Sequence, residues 1–138
     1  AGIFPWEGRV FAQFAHSVID KTDIVLHTTG KSEGNYCYSS DMVLGLLTIL
    51  IKGTDGEAYN VVNEATHTTI ADMAKLNAEV IANGEIKVVF DIPEDNKYGY
   101  AAETHLKLSG KKLEALGWTP EYNLESMYRR TIAFLMGE

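Results

Sequence analysis

The run from Met42 to Ile51 is apolar at every position except Gly45 and Thr48. Ser39 or Ser40 can cap its start, Asp41 sits where a helix N-terminus favours negative charge, and Gly53 follows Lys52 as a stop. A helix that is apolar on nearly every side needs cover on nearly every side, so this one is expected to be buried. It also falls well short of the roughly 20 residues needed to cross a bilayer. The chain must therefore supply packing layers around it.

The flanking elements are read by period. From Arg9 to Lys21, Val10, Phe11, Phe14 and Val18 fall on one face of a helix, entered through Pro5 and Gly8. Asp23 to His27 holds three consecutive apolar residues and predicts a short buried strand. A polar loop, Thr28 to Gly34, precedes an aromatic-rich strand at Asn35 to Tyr38. After the turn Thr54-Asp55-Gly56, the β-branched run Ala58 to Val62 predicts another strand. Thr68 or Thr69 starts a helix with Ile70, Met73, Ala74, Asn77 and Val80 on one face, ended by Gly84. Ile86 to Phe90 is a further strand, Asp91 to Ala102 is irregular, and His105 to Leu108 is a short edge strand. A short helix runs through Leu116 and stops at Gly117, Trp118 plugs the core, Pro120 forbids continuation, and a last helix spans Leu124 to Met136. Alternating strands and helices predict an α/β fold, with a small mixed sheet of short strands and about five helices. At 138 residues the chain is expected to be a single domain over 1–138, able to bury roughly 68% of its unfolded surface.

Composition narrows the function classes. With 46% hydrophobic and 22% charged residues the chain has the make-up of a globular protein. Nineteen acidic residues against 12 basic give a net charge of -7, which argues against a nucleic-acid surface built on clustered Lys and Arg. One cysteine, Cys37, excludes an intrachain disulfide framework and fits a reducing compartment. The opening Ala1-Gly2-Ile3-Phe4-Pro5 has no secretory pattern, so a cytoplasmic location is expected, with no membrane partner. The missing initiator Met is expected either of a piece of something longer or of a processed start.

Chemistry is sparse. No Gly-x-Gly-x-x-Gly is present, so no dinucleotide cradle is expected. None of the seven tyrosines is followed four residues later by lysine. Gly30-Lys31-Ser32 lacks the first glycine of a phosphate loop, position 25 being Val. His16, His27, His67 and His105 are unpaired in spacing, which argues against a metal site. Asp91, Glu94 and Asp95 read as a solvated loop, and no nucleophile elbow occurs. No catalytic residue is assigned.

A set of weak motifs in a consistent order carries more. These are Arg9-Val10-Phe11, Ile24 to Gly30, Asn35-Tyr36-Cys37-Tyr38-Ser39-Ser40-Asp41-Met42-Val43, Gly56-Glu57-Ala58-Tyr59-Asn60-Val61, Thr69 to Ala74, and Lys112-Leu113 with Leu116-Gly117-Trp118-Thr119-Pro120. Together they resemble the C-terminal, substrate-binding part of the extended short-chain dehydrogenases/reductases, the NAD-dependent epimerase/dehydratase family. The resemblance implies a chain without its Rossmann half and catalytically incomplete alone. It implies NAD(P) for the full-length parent, a nucleotide sugar as ligand, the missing N-terminal Rossmann domain as partner, and a homodimer as the assembled form. By the same resemblance Arg9, Asn35, Tyr36 and Lys107 are the candidate substrate-binding residues. The family's usual Arg before a polar residue and an aromatic is here Gly34, a departure that removes a phosphate contact. Asp41 reads as a helix-start acid, Trp118 as core, and the Asn60 side chain as bonded to nearby backbone to hold the turn. The rival expectation is a free-standing, non-catalytic nucleotide-sugar-binding or oligomerisation module.

Overall fold

A computed structural model describes residues 7–95, 98–100 and 102–138. The expectations at Ala1 to Pro5 lie outside these. Helix α1 runs Val10–Asp20 and ends on Lys21 in the left-handed conformation. Strand β1, Ile24–Leu26, buries Ile24 and Leu26 and leaves Val25 outward. Strand β2 is Glu33–Gly34, helix α2 is Ser39–Lys52, and a single 3₁₀ turn occupies Glu64–Thr66. Strand β3, Thr68–Thr69, leads into helix α3, Ile70–Lys75, whose Thr69 cap accepts from the Asp72 amide. A π-helical segment, Leu76–Ile81, continues it. Strand β4 is Val88–Phe90, helix α4 is Lys111–Glu114, and helix α5 is Leu124–Met136, capped by Asn123.

The strands form two pairs. β1 pairs parallel with β4, Ile24 opposite Val88 and Leu26 opposite Phe90. β2 pairs antiparallel with β3, Glu33 opposite Thr69. The core lies where α1, α5 and the π-helical segment pack behind β1, around Phe14, Ile24, Met73, Ala74, Ile86 and Tyr128. Phe11 stacks on Tyr128 at 4.0 Å between ring centroids. Among the described residues, no helix is long and apolar enough to cross a membrane.

Several expectations are corrected. The strand expected at Asn35 to Tyr38 lies earlier, at Glu33–Gly34. Beyond it the Thr66 hydroxyl takes the place of a neighbouring strand, accepting from the Tyr36 amide at 2.9 Å. Ala58 to Val62, expected as a strand, joins no ladder among the described residues. His105 to Leu108 contributes only a bridge, between His105 and Glu33. Tyr38 occupies the cap position of α2 without a side-chain cap, so neither Ser39 nor Ser40 caps it. Val80 turns outward because the wider π turn, closed by the Ala82 amide on the Asn77 carbonyl at 2.8 Å, breaks the 3.6-residue face. The Asn77 side chain feeds the same distortion by donating to the Met73 carbonyl.

The largest correction concerns α2. Its buried residues are Asp41 and Gly45, whereas Met42, Val43, Leu44, Leu46, Leu47, Leu50 and Ile51 are exposed. The helix lies on Val61 and Trp118 through Gly45, where an added Cβ would stand 2.8 Å from Val61 Cγ1. Trp118 is core, as expected, and its indole N–H donates to the Asp41 carbonyl at 2.9 Å. Asp41 Oδ2 accepts from the Tyr122 amide, so this acid ties the α2 start to the chain ahead of α5.

Candidate functional site

Arg9 occupies the cap position of α1, with extended backbone and a largely exposed side chain ion-paired to Glu7. Two residues on, Phe11 faces Tyr36, their rings 6.0 Å apart. Between them opens a cleft of about 300 Å³, lined by Glu7, Arg9, Val10, Phe11, Ala12, Tyr36, Cys37 and Met127. A second cleft of about 440 Å³ shares Arg9 and Val10 and runs along Leu26, His27, Thr28 and Ser32 toward Tyr100 and Thr104. Arg9 thus stands on the wall between two concavities, one floored by aromatic and apolar side chains and one bordered by hydroxyls.

The sequence around Tyr36 explains its placement. With no strand beside it, its backbone is held by Thr66, whose hydroxyl lies 2.9 Å from the Tyr36 amide, 2.5 Å from the Tyr36 carbonyl and 2.8 Å from the Asn63 carbonyl. A hydroxyl has one hydrogen, so it donates to one of the two carbonyls at a time. Burial pushes the Tyr36 phenol up from its ordinary value, which keeps it protonated and able to donate a hydrogen bond. Burial is also the main cause that raises the Cys37 thiol, with Asp41 adding to it. A raised thiol is a poor nucleophile, so Cys37 serves as wall.

The four predicted residues separate. Arg9 and Tyr36 meet in the first cleft. Asn35 is adjacent but spent: its Nδ2 donates to the Asn63 carbonyl at 3.2 Å and its Oδ1 accepts from the Leu108 amide at 3.1 Å. Lys107 is exposed and is not among the residues lining either cleft. Its charge falls on Glu64, whose carboxyl is held below the ordinary range first by the Ser109 hydroxyl and then by the Gly110 amide. Asn60 is structural, but over a long span: it donates to the Ser109 carbonyl rather than to its own turn. Phe11, Met127 and Cys37 complete the cleft and were not singled out from sequence. Phe11 sits in the Arg9-Val10-Phe11 motif, where its helical period marks it as core.

The loop after β1 does not fit the pyrophosphate of a dinucleotide. Gly30, the glycine in the loop after β1, has a φ of +67° and is closed over by α3, since a Cβ there would lie 2.9 Å from the Ala71 backbone nitrogen. That approach leaves no room for a pyrophosphate against its backbone.

No family model matches the chain. It is 30% identical over 119 residues to UDP-glucuronic acid decarboxylase 5 of Arabidopsis thaliana, covering 86% of this chain and 33% of that protein. It is 23% identical over 127 residues to dTDP-D-glucose 4,6-dehydratase of Mus musculus, covering 90% of this chain and 35% of that one. Its fold resembles the crystal structure of UDP-glucose 4-epimerase from Thermotoga maritima with UDP-glucose, at a TM-score of 0.77 and 23% identity, over 97% of this chain and 41% of that one. The chain spans about a third of the length of the curated relatives it matches. In motif order, in sequence and in fold, the chain belongs to the extended short-chain dehydrogenases/reductases of the NAD-dependent epimerase/dehydratase family, of which it corresponds to a C-terminal portion.

Proposed function

We propose that the chain is the nucleotide-sugar-binding portion of an epimerase or dehydratase whose redox chemistry resides in residues outside it. The observation that carries this reading is the meeting of Arg9 with Phe11 and Tyr36 at one cleft. A nucleotide offers a flat, polarisable base and an anionic diphosphate. An aromatic floor with a guanidinium on its rim suits both. The Arg9 guanidinium is exposed while its partner Glu7 is mostly shielded and lines the same cleft, so an incoming diphosphate must displace or coexist with that carboxylate. Gly34 in place of the family's arginine leaves Arg9 as the cation at the cleft, which favours modest affinity.

NAD(P) is assigned to the remaining part of such an enzyme, since neither the Gly30 loop nor any Tyr-x-x-x-Lys pair in this sequence provides for it. The proposed location is the cytoplasm, and a homodimer is the proposed assembled form. A free-standing, non-catalytic binding or oligomerisation module is the second reading, favoured by the exposed apolar side of α2. Titration of the chain with UDP-glucose and dTDP-glucose, followed by thermal shift and calorimetry, tests the first. The expected dissociation constant lies between about 10 μM and 1 mM. Arg9→Ala and Tyr36→Ala should each weaken it about tenfold. Absence of any shift at saturating nucleotide sugar would move the chain to a structural or oligomerisation role. Tight stoichiometric binding of NAD would refute the division of labour.

A further inference from the structure

One turn along α5 from Met127, which lines the first cleft, Thr131 lines a separate one of about 450 Å³ between α5 and the start of α2. The amides of Ser39, Ser40 and Asp41 open α2 with no helical acceptor, and Tyr38 at the cap position gives them no side-chain cap. Fourteen residues of helix place partial positive charge at that end. Thr131 is 4% exposed, and its hydroxyl has no hydrogen-bond partner among the described residues. A buried hydroxyl left unpaired is unfavourable, so a group that supplies its partner is held with a gain. Arg130 stands at the rim. Its Nε donates to the Tyr38 hydroxyl at 3.3 Å, and its guanidinium lies 5.0 Å from the Tyr122 ring centroid. The Tyr38 hydroxyl accepts that bond and keeps its own hydrogen to donate. Neighbouring Arg129 pairs with Glu125, whereas Arg130 makes no ion pair with a carboxylate among the described residues. It is a positioned cation without a counter-ion.

Donors and positive charge call for an anion, and the nearby acids limit how much charge it carries. Asp41 sits in the first turn of α2 with its Oδ2 turned to the Tyr122 amide, and Glu138 borders the cleft. Two acids against one guanidinium and one helix end favour a single negative charge over two. The remaining wall is apolar, formed by Ala133 and by Phe134, which is 71% exposed. A carboxylate matches the guanidinium fork, and an apolar body attached to it covers the phenyl ring. We propose that the cleft between the α2 start and Arg130–Thr131 is a binding site for a small monocarboxylate with an apolar or aromatic body, distinct from the cleft at Arg9 and Tyr36. The carboxylate sits at the Ser39 and Ser40 amides, accepts from Thr131 and pairs with Arg130, while the body rests on Phe134.

The test titrates the 138-residue chain with benzoate and follows backbone amides by NMR. Benzamide serves as the uncharged counterpart, and inorganic phosphate as an anion without an apolar body. Benzoate should move the Ser39, Ser40 and Thr131 signals saturably in the millimolar range. Benzamide and phosphate should each need at least about tenfold more. Arg130→Gln should weaken benzoate about tenfold, and Arg129→Gln, one residue away and paired with Glu125, should leave it unchanged. Thr131→Val removes the hydroxyl and keeps its shape, so it should weaken benzoate about threefold with no fall in Tm, no internal bond being broken. The proposal is overturned if roughly 20 mM benzoate moves none of these signals, or if benzamide or phosphate binds as well as benzoate does. It is equally overturned if Arg130→Gln or Thr131→Val binds benzoate as the parent does. Displacement of benzoate by UDP-glucose would make this cleft part of the site at Arg9 and Tyr36, and would overturn it as a distinct one.

Discussion

Replacing Gly30 by alanine tests how the loop after β1 is held. Gly30 has a φ of +67°, and its carbonyl accepts from the Ala71 amide at 2.9 Å, fixing the start of α3. The left-handed conformation costs an alanine about 1–2 kcal/mol, of which about 0.4–1 is returned by a stiffer unfolded chain. The new Cβ would stand 2.9 Å from both the backbone nitrogen and the Cβ of Ala71, so backbone must move. Displacement weakens the Ala71–Gly30 bond by about 1 kcal/mol and adds overpacking of about 1 kcal/mol or more. The total is about 3 kcal/mol, which for a domain of this size lowers Tm by about 12 °C. Gly56→Ala provides the control: its φ is +78°, but an added Cβ meets nothing within 4 Å. Only the conformational part applies there, about 1 kcal/mol and about 4 °C. Differential scanning calorimetry of both variants reads the difference. If Gly30→Ala melts within about 2 °C of Gly56→Ala, the close packing of α3 on the loop contributes nothing and the reasoning fails.

Thr66→Val keeps the shape of Thr66 while stranding the Tyr36 amide and carbonyl, and should cost about 2–3 kcal/mol by urea denaturation, with Thr66→Ser recovering most of it. The same variant should blur the cleft, seen as doubled or broadened NMR signals from Tyr36. Asn35→Ala should cost about 1–2 kcal/mol and speed exchange of the Leu108 amide, which loses its acceptor. Glu64 tests pH dependence: its folded carboxyl is held below the unfolded value of about 4.3. Its stabilisation is therefore present above that value and lost as pH falls through the folded one. Chemical denaturation from pH 7 down to 3 should show a steeper acid loss for the parent than for Glu64→Gln, and parallel curves would contradict the assigned contacts.

The helices and the strands β1 and β4, though not their pairing, were legible because their signals are local. Arg9 to Lys21 and Leu124 to Met136 carry a 3.6-residue period, Asn123 and Thr69 are capping residues, and Ile24 to Leu26 is a buried run. What sequence could not supply was the identity of neighbours. Ala58 to Val62 has strand composition, but a strand exists only beside another, and among the described residues none pairs with it. Met42 to Ile51 has the composition of a buried helix, and its exposure says what the rest of this chain fails to cover. At the cleft, Arg9 and Tyr36 had been singled out by family motifs, whereas the approach of Phe11 to Tyr36 depends on Thr66, far along the chain, holding the Tyr36 backbone with one hydroxyl.

The parallel pairing of β1 with β4 has a consequence for how the molecule is made. Asp23 Oδ1 accepts from the Lys87 amide, 64 residues away in sequence, beside the place where Ile24, Leu26 and Ile86 are buried together. During synthesis the first of these strands waits for its parallel partner across the 64 residues between Asp23 and Lys87, so this pairing consolidates as a non-local event rather than a stepwise one.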